Sequence, residues 1–237
     1  MSFVLSIHEK GKRETNEDSC YSHVDGHIGV YLVADGCGGH ASGQEASDYA
    51  VKYLADHLFH RAFEASEDSI SIILRDCNKM ILQNQKDHGS MRTTIVGLIR
   101  KDSDTYAFNV GDCRLYQIRA GKVIFQTEDH SVPYVLYKAG IISEDEINTH
   151  EDRNKLLQAL GAKEDLKSRI YRLDPQGEDL FLLASDGFWE YLRKPDFAEC
   201  TPDKAGRWLK SIETRIINAD DPEQDNYTAL LIGDING

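Results

Sequence analysis

The sequence predicts an α+β fold in which antiparallel sheets are covered by helices. Strand-like segments come in groups instead of alternating with helices, which argues against a parallel α/β sheet. Two amphipathic helices follow one another directly in the first half, so no simple strand–helix–strand crossover is available there. Asp25-Gly26, between two strand-like runs, is typical of a two-residue hairpin. The opening of the chain is therefore expected to be antiparallel.

The first half contains three strands and two helices. The strands are expected at 3–8, 19–24 and 27–34. Ser42 and Glu45 have the spacing of a capping box, so the first helix is expected to begin there. The second helix is indicated by apolar residues at helical spacing. These are Ile70, Ile73, Leu74, Cys77 and Ile81.

The middle of the chain predicts a strand meander. Its four strand-like runs are 93–100, 105–110, 114–118 and 123–126, with Ala120-Gly121 at a turn. Alternation of apolar and polar residues, as in Tyr106, Phe108 and Val110, indicates strands with one buried face. Consecutive strands of this kind are expected to pair with one another.

The last part of the chain, from residue 132 onward, is predicted to contain a polar insertion followed by three more strands and a helix. Residues 132–167 predict short helical pieces, with Gly140 as a C-cap and Ser143 and Glu146 as a capping pair. Strands are expected at 169–173, 179–184 and 227–232. A helix is expected to open at Thr201-Pro202, with three residues facing inward. These are Leu209, Ile212 and Ile216.

Composition narrows the classes of function. With 237 residues and 41% apolar content, we expect a single domain, 1–237, with a core of its own. The formal net charge of −13 argues against nucleic acid and anionic membranes as partners. No leader peptide or spanning segment is indicated, and the five cysteines contain no CxxC pair. The sequence thus predicts a soluble, cytoplasmic protein with free thiols.

Carboxylates follow several apolar strands at the point where each strand ends. Asp35 follows one such run, Asp186 another, and Asp112 comes after Val110-Gly111. One Asp-Gly pair alone is ordinary turn chemistry, but a carboxylate delivered from a buried scaffold needs a cation or donor. Oxygen-only coordination favours Mg²⁺ or Mn²⁺ over zinc. Six acids are candidates: Glu17, Asp18, Asp35, Asp112, Asp186 and Asp225.

Six segments occur in the order found in one enzyme family. Together they span nearly the whole chain, and this order and spacing are more specific than any one of them. They are 13–18 (RETNED), 33–40 (VADGCGGH), 110–114 (VGDCR), 128–131 (EDHS), 183–189 (LASDGFW) and 225–228 (DNYT). The chain resembles the metal-dependent protein phosphatases of the PP2C (PPM) family, in particular the bacterial single-domain members.

The resemblance implies a four-layer αββα sandwich, with two antiparallel sheets flanked by helix pairs and a flap insertion at about 132–167. It also implies a binuclear Mn²⁺ or Mg²⁺ centre. Asp35 matches the carboxylate that bridges both ions, and Gly36 matches the residue whose carbonyl binds one of them. Asp186 and Asp225 match ligands of the other ion.

The resemblance assigns three further roles. Glu17 and Asp18 match acidic positions that hold metal-bound waters, and Asp112 matches a ligand of a third ion. Arg13 matches the phosphate-binding arginine, and Asp35, Asp186 and Arg13 together form the catalytic set. A metal-activated water would attack phosphoserine or phosphothreonine in line. The implied partners are phosphoproteins, namely a Ser/Thr kinase or its targets, and the protein is expected to be a monomer.

The chain departs from the family pattern near the site. Cys37 stands where many eukaryotic members carry a histidine proposed as general acid, and we expect it to pack, not to act as a nucleophile. Arg92-Thr93-Thr94 replaces Gly-Thr-Thr, and Cys113 replaces a small residue. His40 and His130 are expected to be structural hydrogen-bonding groups. Basic residues that could contact a phosphopeptide are Arg92, Arg153 and Lys155.

Two alternatives remain open on the sequence. Gly36, Gly38 and Ala41, with Asp56 further on, fit a relaxed dinucleotide fingerprint, but the βαβ context is missing and Asp35 would face the pyrophosphate. The other alternative is a catalytically weak phosphoprotein-binding domain of the same fold. Retention of the complete anionic set argues against it.

Overall fold

Two antiparallel sheets lie face to face in the computed structural model, which describes residues 2–37, 41–60, 62–88 and 90–234. The five-stranded sheet has the order β1 (Ser2–Glu9), β11 (Tyr227–Asp234), β10 (Leu180–Ala184), β7 (Arg114–Arg119) and β8 (Lys122–Gln126). The six-stranded sheet has the order β2 (Asp18–Asp25), β3 (Ile28–Cys37), β5 (Ile95–Lys101), β6 (Asp104–Val110) and β9 (Arg169–Leu173). Its short strand β4 (Arg92–Thr93) pairs with the end of β3.

Helices cover the outer faces of both sheets. Helices α1 (Ala41–Leu58) and α2 (Glu67–His88) cover the six-stranded sheet, and the single turn α4 (Asp186–Trp189) and α5 (Ala205–Ile217) cover the five-stranded sheet. Helix α3 (Val132–Lys138) lies in the flap. The described residues also form two 3-10 helices, Glu144–Thr149 and Lys194–Glu199. None of the described helices is both long enough and apolar enough to cross a membrane.

Three apolar layers separate these four layers of structure. Leu54 and Leu74 pack α1 and α2 against the six-stranded sheet. Val33 and Leu183 belong to the layer between the two sheets. Trp208 on α5 packs on the outer face of the five-stranded sheet together with α4. The α+β class is confirmed, and the layers follow the predicted order αββα.

Local turn signals correctly located the hairpins. Asp25 pairs with Ile28 across the β2–β3 turn, where Gly26 has φ +58°. Ala120 (φ +48°) and Gly121 (φ +73°) connect β7 to β8, and two successive positive φ values match the right-handed twist of a hairpin. The second helix also buries most of the predicted stripe. Ile70, Leu74, Cys77 and Ile81 have no exposed area, whereas Ile73 is partly buried and packs against the same layer.

The predicted meander is wrong in one respect. β5 and β6 pair in one sheet, whereas β7 and β8 pair in the other. The chain changes sheet at Gly111, whose φ is +101° and where a Cβ would lie 2.6 Å from the side chain of Thr94. Strands of either sheet show the same alternation along the chain, so the pattern does not reveal this crossing.

Three helix predictions also need correction. α5 begins at Ala205, because residues 201–204 form a turn in which Lys204 N–H donates to Thr201 O (3.0 Å). α1 begins at Ala41, so Ser42 lies inside the first turn and not before it. The insertion is helical only in α3 and Glu144–Thr149, although Gly140 and the Ser143–Glu146 capping box are where they were predicted. Gly38, Gly39 and His40 lie outside the described residues.

Candidate active site

Strand ends bring the predicted carboxylates to one place between the sheets. Asp18 and Asp35 are paired in register across β2 and β3, so their side chains share one face of the sheet. Asp186 opens α4 just after β10, and Asp225 precedes β11. Asp112 follows β6 and is buried. Five predicted ligands thus approach from both sheets.

The carboxylates repel one another strongly. Burial is the largest cause of the raised pKa of Asp35, and the charges of Asp186, Asp18 and Asp112 raise it further. Burial raises the pKa of Asp18 to about 7, although hydrogen bonds to Thr228 and Ser185 oppose the shift. Such a cluster carries more negative charge than its protein surroundings neutralise.

The donor set fits hard divalent cations. Its side chains supply carboxylate oxygens, the ligands that Mg²⁺ and Mn²⁺ prefer. Burial first, and then the charge of Asp225, raises the pKa of Asp186, whereas its hydrogen bond to Asp35 opposes that rise. In the described part of the chain, no group of three or more His, Cys, Asp or Glu side chains is arranged to hold a metal ion as it stands. The carboxylates are therefore gathered in one region without being closed around a single point.

Gly36, next to Asp35, lets the backbone of α1 approach the end of β3 closely. Its N–H donates to Glu17 O (3.1 Å), and a Cβ at this position would lie 2.2 Å from Gly43 O. A side chain on Gly43 would in turn collide with the carboxylate of Glu17. Glycines at both positions thus let the first turn of α1 approach the end of β3.

Two threonines hold the backbone of Asp35. Thr94 N–H donates to Asp35 O (2.8 Å), and Thr93 Oγ1 donates to the same oxygen (2.9 Å). Asp35 N–H donates to Thr94 Oγ1 (3.2 Å), which also lies 3.0 Å from Cys113 Sγ. In the sequence, these threonines stood out only because Arg92 precedes them where the family pattern has glycine. Their spacing from Asp35 gives no local signal of the contact.

Asn226 fixes the loop that carries Arg13 and Glu17. Its Nδ2 donates to Lys10 O (2.7 Å) and Thr15 O (3.0 Å), and its Oδ1 accepts from Glu17 N–H (2.7 Å). Asn226 is buried, and three backbone groups satisfy most of its hydrogen-bonding capacity. This role was also missed, because sequence reasoning used Asn226 only as the neighbour of Asp225.

Arg13 lies beside the carboxylates at the rim of an open cleft. Its Nη2 donates to Asp225 Oδ2 (2.9 Å), and both side chains are about half exposed. The cleft has a volume of about 400 Å³ and is also lined by Glu17, Asp35 and Gly36. Five of the predicted site residues therefore line a single cavity.

Asp18 is held from the opposite sheet. Ser185 Oγ donates to Asp18 Oδ2 (2.7 Å), and Thr228 N–H donates to Ser185 Oγ (2.9 Å). His8 Nδ1 lies 3.0 Å from Thr228 Oγ1. This chain of hydrogen bonds connects the motif around Asp186 with the final strand.

Buried groups also support Asp112. Trp189 Nε1–H donates to Asp112 O (2.9 Å), and the guanidinium of Arg114 lies 3.3 Å from the centre of the Trp189 ring. Gly111 N–H donates to His130 Nδ1 (3.1 Å). Burial, followed by the charge of Arg169, lowers the pKa of His130 to about 4. His130 is thus a neutral hydrogen-bond acceptor, in line with its predicted structural role.

Neither the cysteines nor the basic side chains of Arg92, Arg153 and Lys155 are among the described residues that line the cleft. Burial and then the charge of Asp35 raise the pKa of both Cys37 and Cys113 well above the usual range, so neither is a thiolate nucleophile at neutral pH. All five cysteines are free, as predicted. Among the described residues that line the cleft, none comes from the flap. Arg153 Nη1 instead lies 3.9 Å from Glu190, Lys155 pairs with Asp152 (2.7 Å), and Arg92 is exposed.

Comparison with known proteins identifies relatives of this chain. The family model for Protein phosphatase 2C matches residues 8–223. The chain belongs to the protein phosphatase 2C family. A serine/threonine phosphatase stp of Listeria welshimeri serovar 6b is 31% identical over 211 residues, covering 86% of this chain and 83% of that protein.

Solved structures share the protein phosphatase 2C fold over the whole chain. The S. agalactiae serine/threonine phosphatase has a TM-score of 0.85 and 25% identity, and the match covers 98% of this chain and 99% of that one. The catalytic domain of the serine/threonine protein phosphatase PstP, in complex with two manganese ions, has a TM-score of 0.81 and 21% identity, covering 99% of each chain. The family resemblance and the fold predicted from it are confirmed.

Proposed function

We propose that this chain hydrolyses phosphoserine and phosphothreonine in proteins with the help of two divalent cations, Mn²⁺ or Mg²⁺. The observation that carries the proposal is the under-neutralised group of Asp18, Asp35, Asp112, Asp186 and Asp225, with Arg13 beside it. Relatives named serine/threonine phosphatases support the reaction, and a protein of the same fold contains two manganese ions.

The proposed ligand set is the one that the family resemblance implies, and the gathering of the carboxylates supports it. Asp35 would lie between the two ions, the carbonyl of Gly36 would face one, and Asp186 and Asp225 would bind the other. Glu17 and Asp18 would accept hydrogen bonds from water near the ions, and Asp112 would contribute to a third site. Bound divalent cations supply the Lewis acidity that lowers the pKa of a water aimed at phosphorus.

The side chain of Arg13 is suited to the phosphate. A guanidinium fork binds two oxygens of a phosphoryl group and fixes its orientation. The exposure of Arg13 leaves part of this fork available at the rim of the cleft while one nitrogen is held by Asp225. Asp225 would thus place Arg13 next to the cation site. A phosphate bound there would face the guanidinium on one side and the cations on the other, and both would offset its negative charge.

We also propose the biological setting. The substrates would be phosphoproteins, in particular a Ser/Thr kinase or its targets, and the chain would act as a monomeric single domain, 1–237, in the cytoplasm. The net charge of −13 disfavours nucleic acid and anionic membranes as partners. Every strand pair among the described residues is antiparallel, so this part of the chain offers no βαβ unit for the dinucleotide alternative.

Hydrolysis of a phosphothreonine peptide tests the proposal. We expect activity with Mn²⁺, none with EDTA, and a loss of more than about a hundredfold in Asp186→Asn, because several kcal/mol of charge stabilisation depends on the cations. Asp174→Asn, at an exposed position outside the cleft, is the matched control and should retain activity.

Three results would contradict the proposal. Activity that survives EDTA would contradict the role of the cations, and an active Asp186→Asn would contradict the ligand set. Binding of the phosphopeptide without turnover at any Mn²⁺ or Mg²⁺ concentration would favour the weak binding domain instead.

A further inference from the structure

A second groove lies between the flap and the open edge of the five-stranded sheet. Its volume is about 690 Å³, compared with about 400 Å³ for the carboxylate cleft. Strand β8 forms one wall and the 3-10 helix Glu144–Thr149 of the flap contributes to the other, while Tyr116, Trp189 and Phe197 line the interior. None of the residues used in the proposed mechanism lines this groove.

We propose that this groove docks an extended acidic segment of the phosphoprotein whose phosphorylated residue enters the carboxylate cleft. The inference rests on the proposed function for the identity of the substrate. Three independent features support it: the sheet edge, the charge of the walls and the position of Trp189.

The sheet edge can accept an extended peptide. In the described part of the structure, β8 pairs with β7 on one side only. Val123 of this strand lines the groove and is 37% exposed. An open strand edge with apolar side chains is the feature that peptides use when they add a strand to a sheet.

The charge of the groove is opposite to that of the whole protein. Its lining includes Lys122, Arg193 and Lys194 against Glu144 and Asp145, while the fourth basic residue, Arg114, is buried and already neutralised by Asp129. The groove therefore has a small positive excess, although the chain as a whole carries −13. Lys194 pairs with Glu144 (2.8 Å), whereas Lys122 and Arg193 form no ion pair with any described residue. An acidic segment is repelled by most of the surface and attracted here, so the groove selects for it.

The interior of the groove is next to the carboxylate site. Trp189 ends the helical turn that Asp186 begins, and a helix rises about 1.5 Å per residue, so the two backbones are roughly 5 Å apart along the axis. Trp189 also donates its indole N–H to Asp112 O. Since an extended chain advances about 3.3 Å per residue, residues a few positions from the phosphorylated one would reach the groove.

Peptide binding tests the groove without requiring catalysis. The probe is a fluorescein-labelled, unphosphorylated peptide rich in Asp and Glu with two Leu residues, and its Kd is measured by anisotropy. We expect Lys122→Glu/Arg193→Glu to weaken binding at least tenfold. The matched control, Lys52→Glu/Arg75→Glu on exposed positions of α1 and α2, makes the same change in net charge and should stay within twofold of the parent. Equal weakening in both variants, or no binding to the parent, would overturn the proposal.

Kinetics separates this proposal from the proposed function. Phosphothreonine peptides with acidic or basic flanks are compared with p-nitrophenyl phosphate in the presence of Mn²⁺. We expect the parent to prefer the acidic flank at least tenfold in kcat/KM, the groove variant to lose this preference through KM, and p-nitrophenyl phosphate turnover to be unchanged.

Other outcomes have distinct meanings. No preference in the parent, or a parallel loss with p-nitrophenyl phosphate, would overturn docking. Self-association of the parent that the groove variant lacks, measured by sedimentation, would assign the groove to a second copy of the chain and also overturn it. Failure of every protein to hydrolyse any phosphate ester would overturn the proposed function, while the anisotropy result would still decide whether the groove binds acidic peptides.

Discussion

The backbone N–H and C=O of Asp35 make the hydrogen bonds that position this residue. Thr93 at the end of β4 and Thr94 directly after it hold its backbone, and Asp18 lies opposite it on β2. Because a site of this kind needs its ligands within a fraction of an ångström of the productive geometry, these supporting groups matter as much as the carboxylates.

Removal of one hydroxyl tests this support. Thr94→Val keeps the shape of the side chain but leaves Asp35 N–H without its acceptor. We expect kcat with Mn²⁺ to fall by about 10–100-fold and the free energy of unfolding to fall by about 1–3 kcal/mol. Thr94→Ser retains the hydroxyl and should recover most of the activity. Full activity in the valine variant would show that Asp35 does not depend on this contact.

His130 gives a pH-dependent prediction. Its pKa is lowered to about 4 in the folded state, against about 6.5 in an unfolded chain. Between these values the unfolded state binds the extra proton, so the contribution of His130 to stability is complete above pH 6.5 and is lost as the pH falls towards 4. We expect a loss of about 3 kcal/mol over this window.

Urea unfolding of the parent and of His130→Asn measures this term. Asparagine retains an acceptor for Gly111 N–H but does not titrate in this range. The parent's advantage over the variant should therefore shrink from pH 7 to pH 4. A constant difference would show that His130 titrates normally in the fold.

At the scale of elements, a buried ion pair joins β7 to the base of the flap. Arg114 donates to both oxygens of Asp129, with Nε–Oδ1 2.9 Å and Nη2–Oδ2 2.6 Å, and stacks on Trp189 of α4. Both residues are buried. The pair connects three elements that surround Asp112, so its loss should affect more than one of them.

Breaking this pair should be costly. We expect Asp129→Ala to lower the free energy of unfolding by about 3–5 kcal/mol, because it leaves the buried guanidinium of Arg114 without its counter-charge. Lys138→Ala removes a partner of Glu128 that is 54% exposed and should cost less than about 1 kcal/mol. Urea denaturation measures both. Equal effects would mean that the buried pair is better hydrated than its burial indicates.

At the scale of the whole molecule, the carboxylates lie where the ends of both sheets meet. Strands β2, β3, β6, β10 and β11 each end or begin next to one of them. Their mutual repulsion opposes packing of the two sheets in this region, and bound cations would remove it. Metal binding is therefore expected to stabilise the entire fold and not only one loop.

Thermal unfolding tests this coupling. At an Mn²⁺ concentration of 100 times the Kd, the expected stabilisation is about 2.7 kcal/mol, equivalent to a rise in Tm of roughly 5–10 °C for a chain of this size. Asp35→Asn should abolish most of the rise, and EDTA should reverse it. Potassium chloride at equal ionic strength is the control. A Tm independent of Mn²⁺ would contradict the proposed cation site.

The sequence by itself determined the features that depend on neighbouring residues. The buried stripe of α2, the Asp25-Gly26 turn and the carboxylates at strand ends are visible because periodicity and turn chemistry are local. The order of the six motifs along the chain indicated the family, because that order is a property of the sequence and does not depend on the fold. The start of α5 was misplaced because the turn at 201–204 competes with the helix for the same hydrogen bonds.

Tertiary structure decided the features that depend on distant partners. Thr94 reaches Asp35 across 59 positions and Asn226 reaches Glu17 across 209, so neither contact has a local signature. The same is true of the sheet that β7 joins, because this strand is buried on both faces and a strand of that kind has the same sequence pattern in either sheet. The second groove, between the flap and the edge of the five-stranded sheet, also forms only when β8 and the flap come together. These partners meet only when the sheets and helices pack. The hydrophobic effect that drives packing is non-directional, so it leaves no mark in the sequence of which distant residues will touch.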